Sequence, residues 1–103
     1  MPAVGWKPPT WSVPVAAVVV SDEDGRAAWT LPRPFSRPPV VTVAVVDPDP
    51  GDGREAPTVV LEAVEVDQVR VRVWLVGRGE VRPAGPGVRV HLTAVRLPPG
   101  TDG

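Results

Sequence analysis

The chain has 103 residues, of which 43% are hydrophobic, and this is enough for one domain with a modest core and too apolar for a disordered chain. The 11 basic and 12 acidic residues leave a net charge of −1, which excludes the broad basic surface of a nucleic-acid-binding protein. Cysteine is absent, which excludes a disulfide framework, a thiolate nucleophile and a cysteine metal site.

Residues 1–12 are predicted to form an extended arm. Pro8 and Pro9 oppose a helix, and Trp6 and Trp11 are spaced five residues apart. Tryptophan is enriched at the centres of protein interfaces, so the two indoles could anchor the arm on a partner protein. The alternative is that both indoles fold back on the core of their own domain.

The domain itself is predicted to span residues 13–97, with a tail at 98–103. Six strand-like segments, five of them rich in valine, alternate with turn-forming residues, and no apolar residues recur at helical spacing. The sequence therefore predicts an all-β fold of six antiparallel strands, either a β-sandwich or a barrel-like fold. Its strands are expected at 13–20, 26–31, 40–46, 58–66, 69–76 and 88–97, with a turn at 21–25 and a flexible loop at 77–87. The apolar run at 13–20 is too short to span a membrane, so no membrane association is expected.

The last two strands alternate apolar and polar residues, which assigns their side chains to two faces. The apolar set predicts the core: Val69, Val71, Val73 and Leu75 with Val88, Val90, Leu92 and Ala94. The other set predicts one shared outer face: Arg70, Arg72 and Trp74 with Arg89, His91 and Thr93. A register shift of one residue would bury unpaired arginines, which is prohibitively costly.

That outer face is the predicted contact site of the domain. Arg70, Arg72, Trp74, Arg89 and His91 could contact a ligand such as an anionic glycan, or could stack arginine on indole across a subunit contact. The alternative is a cross-strand ladder in which the arginines pair with Glu62 and Glu65.

Two strands are apolar on both faces. Val18, Val19 and Val20 follow one another in the first, and the third contains Val43, Val45 and Val46. Two apolar faces in so small a domain indicate a subunit interface. Coverage by loops and by the arm is the alternative.

Catalytic and metal sites are not expected. Ser12, Ser21 and Ser36 lack a nucleophile motif, and the single histidine, His91, excludes a multi-histidine zinc site within one chain, although copies of it at a trimer axis could bind a metal. The acidic loop 47–55 offers Asp47, Asp49, Asp52 and Glu55 to a calcium ion, but Pro48 and Pro50 interrupt the spacing. We therefore expect a non-enzymatic protein with no metal and no cofactor.

The amino-acid composition indicates the base composition of the genome that encodes this chain. Ten of the eleven basic residues are arginine, and isoleucine, asparagine and tyrosine are absent. All the avoided residue types have AT-rich codons, which indicates a high-GC genome, bacterial or phage.

A resemblance covers about four-fifths of the chain. Its elements are the segment DEDGRAAWTL at 22–31, PRPFSRPPVVTV at 32–43, the hairpin 59–76 and VRVHLTAV at 88–95. Together they resemble the small β-sandwich domains of phage tail and head fibres and the H-type lectins. The resemblance implies a six-stranded, commonly trimeric, H-type lectin-like sandwich.

The implied function is that of a phage virion structural protein: a small fibre, tail or capsid-decoration component on the outside of the particle. It would attach to other virion proteins through the arm and project a homotrimeric sandwich. The alternative is a carbohydrate-binding module that adheres to a host-surface glycan, for which Arg72, Trp74 and His91 would be the contacts.

Overall fold

The computed structural model describes residues 14–47, 51 and 53–97. The arm at 1–12 with Trp6 and Trp11, and the tail at 98–103, lie outside the described residues. Within them the chain forms seven β-strands and no helix, and every pairing is antiparallel: β1 (Val15–Val20), β2 (Arg26–Thr30), β3 (Val40–Val46), β4 (Glu55–Val64), β5 (Gln68–Gly77), β6 (Glu80–Pro83) and β7 (Arg89–Val95). The predicted all-β antiparallel fold is confirmed.

The strands form two packed sheets. The three-stranded sheet has the order β1-β7-β3, and the four-stranded sheet has the order β2-β5-β4, with β6 also paired to β5. Alternate side chains along each strand point inward. The inner faces of the two sheets therefore enclose the core, and the outer faces point in opposite directions. The arrangement is compatible with a β-sandwich.

The core contains the residues that the alternation assigned to it. Its fully buried members come from both sheets, namely Val69, Val71 and Val73 from β5 and Val90, Leu92 and Ala94 from β7, with Trp29 and Leu31 beside them. Leu75 and Val88 are only half-buried; Val88, just before β7, packs against this core, whereas Leu75 is not among the residues that do.

One predicted loop contains a strand. Residues 77–87 were expected to be flexible, but Glu80–Pro83 forms β6, which pairs with Trp74–Gly77 of β5. Gly79 has a φ of +74° and allows the tight turn between the two strands. All four residues of β6 are exposed, so the segment has no apolar alternation by which to recognise a strand.

Strand limits also differ from the prediction. β4 starts at Glu55 and ends at Val64, and β7 ends at Val95, two residues before the predicted end. A bulge between Leu61 and Ala63 interrupts the pairing of β4 with β5. The inserted residue, Glu62, is exposed on the surface.

β2 and β6 share one edge of β5, and the junction between them lies at Val73. The Val73 amide donates a hydrogen bond to the Gly25 carbonyl at 2.7 Å, and the Val73 carbonyl accepts one from the Ala84 amide at 3.0 Å. Gly25 has a φ of +78°, and a Cβ there would lie 2.4 Å from the Val73 carbonyl oxygen. The predicted turn at 21–25 is therefore present, and both its positive φ and the close backbone approach require glycine at this position.

Ser21 connects the end of β1 to the loop before β7. It is 4% exposed, and its hydroxyl donates to the Gly85 carbonyl at 2.7 Å and accepts from the Val88 amide at 3.0 Å. Its own amide donates to the Val88 carbonyl at 2.9 Å. These bonds satisfy a polar side chain inside the sandwich, as burial requires.

Candidate functional site

The outer face of the four-stranded sheet contains the first half of the predicted contact site. Arg70, Arg72 and Trp74 alternate along β5 with the core valines and so point away from the core. The Arg72 guanidinium carbon lies 4.2 Å from the centroid of the Trp74 ring. The same guanidinium donates to the Asp24 carbonyl at 3.0 Å. The arginine–indole stack predicted for a subunit contact thus forms within one strand.

The alternative ladder of charged side chains is present in part. Arg70 lies 3.7 Å from the Glu65 carboxylate, whereas Glu62 is 3.4 Å from Arg26 of β2. Glu62 is the inserted residue at the bulge in β4. Each pair is exposed and contributes about 0–1 kcal/mol at most, so the ladder makes this face polar more than it stabilises the fold.

Arg89 and His91 do not join this group, so the prediction of one shared outer face is wrong. Both lie on β7, in the other sheet, and the inner faces of the two sheets oppose each other. The outward residues of β5 and β7 therefore point to opposite sides of the molecule. Alternation assigns a residue to the inside or the outside but does not say which sheet its strand joins.

The outer face of the three-stranded sheet is largely apolar. Exposed fractions are 55% for Val18, 57% for Val20, 44% for Val40 and 36% for Val95. Ala16 and Ala44 are also exposed. The central strand contributes Arg89, His91 and Thr93, and His91 lies between Val18 of β1 and Ala44 of β3.

An open depression of about 630 Å³ lies beside β2. Its polar lining consists of two carboxylates and two guanidiniums, those of Asp22, Glu62, Arg26 and Arg70, so it carries no net charge. Hydrogen bonds from the backbone amides of Arg26 and Asp24 to Asp22 hold the pKa of this carboxyl below its ordinary value. Two of the lining residues, Asp22 and Arg26, thus also order the turn between β1 and β2.

A further ion pair was not anticipated from the sequence. Arg82 of β6 donates to both carboxylate oxygens of Glu55, at 3.0 and 2.8 Å, and these bonds and the opposite charge raise the pKa of Arg82. Arg82 and Glu55 lie on the two strands that flank this end of β5, and their side chains meet across it near Gly77. A Cβ added to Gly77 would lie 3.0 Å from the Glu55 Cγ. No sequence signal linked these residues, because β6 itself was not recognised.

Within residues 14–47, 51 and 53–97, no three histidine or acidic side chains come together as metal ligands. Asp49 and Asp52 of the acidic loop lie outside that part. The described residues also include no helix long and apolar enough to cross a membrane.

Comparison with known proteins gives one likeness of fold. No protein-family model matches the chain, and no curated protein matches it. A solved structure, the Pseudomonas phage phi297 tailspike gp61, matches with a TM-score of 0.51 and 22% identity over 80% of this chain. The match covers 14% of the tailspike chain, so the domain corresponds in fold to a small part of that protein.

Proposed function

We propose that this chain is a structural component of a phage virion, a tail, fibre or capsid-decoration protein on the outside of the particle. The observation that supports the proposal is the fold shared with a part of a phage tailspike over four-fifths of the chain. The resemblance of residues 22–43, 59–76 and 88–95 to fibre domains points the same way.

In this proposal the protein has no catalytic role. The Ser21 hydroxyl is buried and bonded to two backbone groups, so it is not available as a nucleophile. His91 has Val18 and Ala44 as its cross-strand neighbours, and neither can act with it as an acid, base or nucleophile. Arg26, Arg70 and Arg82 instead form ion pairs with acidic side chains.

Attachment is assigned to residues 1–12, with Trp6 and Trp11 as anchors, and the sandwich would project from the particle as a homotrimer. Support for the arm is its composition, since two indoles in a proline-rich segment can contact a groove at a low cost in conformational entropy.

The test is mass spectrometry of purified particles from a phage that encodes this chain. We expect the chain in the particles, and we expect a variant lacking residues 1–12 to remain in the soluble fraction of the lysate. Absence of the complete chain from particles would refute the virion assignment. Incorporation of the shortened chain would refute the role of the arm.

Glycan binding is the second candidate, and the Arg72–Trp74 stack is the observation that favours it. A half-buried cation and an indole together can hold an anionic sugar, although Arg72 already occupies one side of the ring. A glycan array would show specific binding that Trp74→Ala abolishes. Equal signals from both proteins would exclude this site.

A further inference from the structure

The outer face of the three-stranded sheet is apolar at its margins and cationic along its centre. Val18 and Val20 are exposed on the edge strand β1, and Val40 is exposed on the other edge strand, β3. Arg89 and His91 lie between the two margins on β7, and none of the three strands contains an acidic residue. An exposed apolar surface of this kind is typical of an interaction site.

The size of this face suits a single segment of chain better than a folded partner. Its three strands of six or seven residues cover roughly 14 by 23 Å, or about 300 Å². A stable pair of folded proteins buries about 800 Å² on each partner. A second domain placed here would also enclose Arg89 and His91, whose cross-strand neighbours carry no charge. An extended segment covers one margin and leaves the guanidinium and the imidazole in contact with water.

Residues 1–12 reach the sheet at the β1 margin. They are joined through Val13 and Pro14 to Val15, the first residue of β1, whose outward side chains are all alanine or valine. A reversal of direction takes about four residues, and the roughly ten residues before it extend to about 30 Å. The six residues of β1 cover about 20 Å, so the segment is long enough to run back along the whole strand.

The composition of residues 1–12 suits an apolar face with cations beside it. The segment contains the indoles of Trp6 and Trp11 and no acidic residue, and Lys7 is its single charged side chain. An indole packs on valine methyl groups and attracts a neighbouring cation to the face of its ring. The three prolines of the segment oppose hydrogen-bonded pairing with the edge of β1, so contact through side chains is favoured.

We propose that residues 1–12 of the free protein lie on this face along β1 of their own chain, with Trp6 as the main contact. A reversal just before β1 places residue 6 beside the far end of that strand, at the level of Val18 and Val20. His91 and Arg89 are the cross-strand partners of those two valines on β7, so the Trp6 ring lies beside both cations. Their outer ends stay in water on the side of β3.

This arrangement goes beyond the proposed function, because it is a property of the isolated chain. In the proposed function residues 1–12 attach the chain to other virion proteins, so the segment has to leave the sheet at attachment. Its release uncovers the valines of β1 at the moment at which it frees the indoles. Attachment to a particle and exposure of this face are thereby coupled.

The test is fluorine NMR of the full-length protein labelled with fluorotryptophan, which gives one resonance for each tryptophan; Trp6→Phe assigns the relevant one. We expect the Trp6 resonance of the wild type to move little when water is replaced by heavy water, because a packed ring has little contact with solvent. Val18→Lys should raise this solvent shift to the value of an exposed indole. The resonance of Trp29, in the core, should stay unchanged and report that the variant is folded.

Two matched variants control the test. Thr42→Lys places the same charge at an exposed position on the β3 margin of the same face, and Val81→Lys places it on the other sheet. Neither should alter the solvent shift of Trp6. Val20→Lys repeats the release at a second position of β1, in case Val18→Lys disturbs the fold.

A mixed sample shows whether the segment binds its own chain. Labelled wild-type chains are refolded with an excess of unlabelled Val18→Lys chains, and we expect the Trp6 resonance to keep its small solvent shift. Release in the mixture would assign the site to a neighbouring copy and overturn the proposal. A fully exposed Trp6 in the wild type, an unchanged Trp6 in both β1 variants, or release by Thr42→Lys would also overturn it. A docked segment in a chain that is absent from particles would leave this inference standing and refute the virion assignment.

Discussion

Replacing Gly25 with alanine should weaken the fold at the junction between β2 and β6. Gly25 has a φ of +78°, and a left-handed conformation costs an L-residue about 1–2 kcal/mol. The new Cβ would also lie 2.4 Å from the Val73 carbonyl oxygen and 3.1 Å from the Ala84 nitrogen. Both neighbours are backbone atoms of hydrogen-bonded strands and cannot rotate away.

Relief of the clash requires β2 or the Val73 segment to move. Movement would stretch the hydrogen bonds that join Val73 to Gly25 and Ala84, each of which contributes about 0.5–1.5 kcal/mol. The total loss is then about 2–5 kcal/mol. That is a large share of the roughly 5–15 kcal/mol by which small domains are stable.

Urea denaturation followed by tryptophan fluorescence measures this loss, because Trp29 is buried in the core. Gly79→Ala is the matched control: its φ is +74°, and nothing lies within 4 Å of the added Cβ. We expect the control to lose only the conformational cost of about 1–2 kcal/mol. Equal losses of unfolding free energy in the two variants would show that the close approach at Val73 does not matter.

Three further predictions concern single residues. Ser21→Ala should lower the free energy of unfolding by about 1–3 kcal/mol, because the Gly85 carbonyl and the Val88 amide lose their partner. The control is Ser36→Ala, at an exposed position, which should change this free energy little. Equal denaturation midpoints for the two variants would refute the prediction. The folded-state pKa of Asp22 lies below its unfolded value of about 3.9, so its stabilisation is present above that pH and is lost as pH falls through the folded-state pKa. Asp22→Asn should therefore lose less stability on acidification than the wild type, and unchanged pH dependence would contradict this. Val71 is 1% exposed, and Val71→Ala should lower the free energy of unfolding by about 2–3 kcal/mol. Val60 is 44% exposed, and Val60→Ala should lower it by less than about 1 kcal/mol. Similar melting temperatures for the two variants would refute the assigned core.

Much of the fold was predictable because strand patterns are local. β3 begins and ends where the sequence indicates, and the valines of β5 are buried as the alternation requires. β6 was missed because all its side chains are exposed and nothing distinguishes it from a loop. Its position depends on β5, whose edge β2 leaves unpaired beyond Arg72.

The candidate surface was predictable only strand by strand. Arg72 and Trp74 are two residues apart on one strand, so their contact follows from the local geometry of a β-strand. The separation of Arg89 and His91 from them depends on which sheet β7 joins. The pairing of Glu62 with Arg26 likewise depends on the order of the strands, with β2 and β4 on either side of β5.

The sequence by itself determined which residues of β5 and β7 face the core, because side chains alternate along an extended backbone whatever surrounds it. It also located the connections from β1 to β2 and from β2 to β3, since proline and glycine restrict or extend the backbone locally. Only the tertiary structure decided how the strands divide between two sheets, and therefore which outer faces exist. The charged side chains of β5 lie on one side of the molecule and the exposed valines of β1 and β3 on the other, because the two sheets pack through their inner faces.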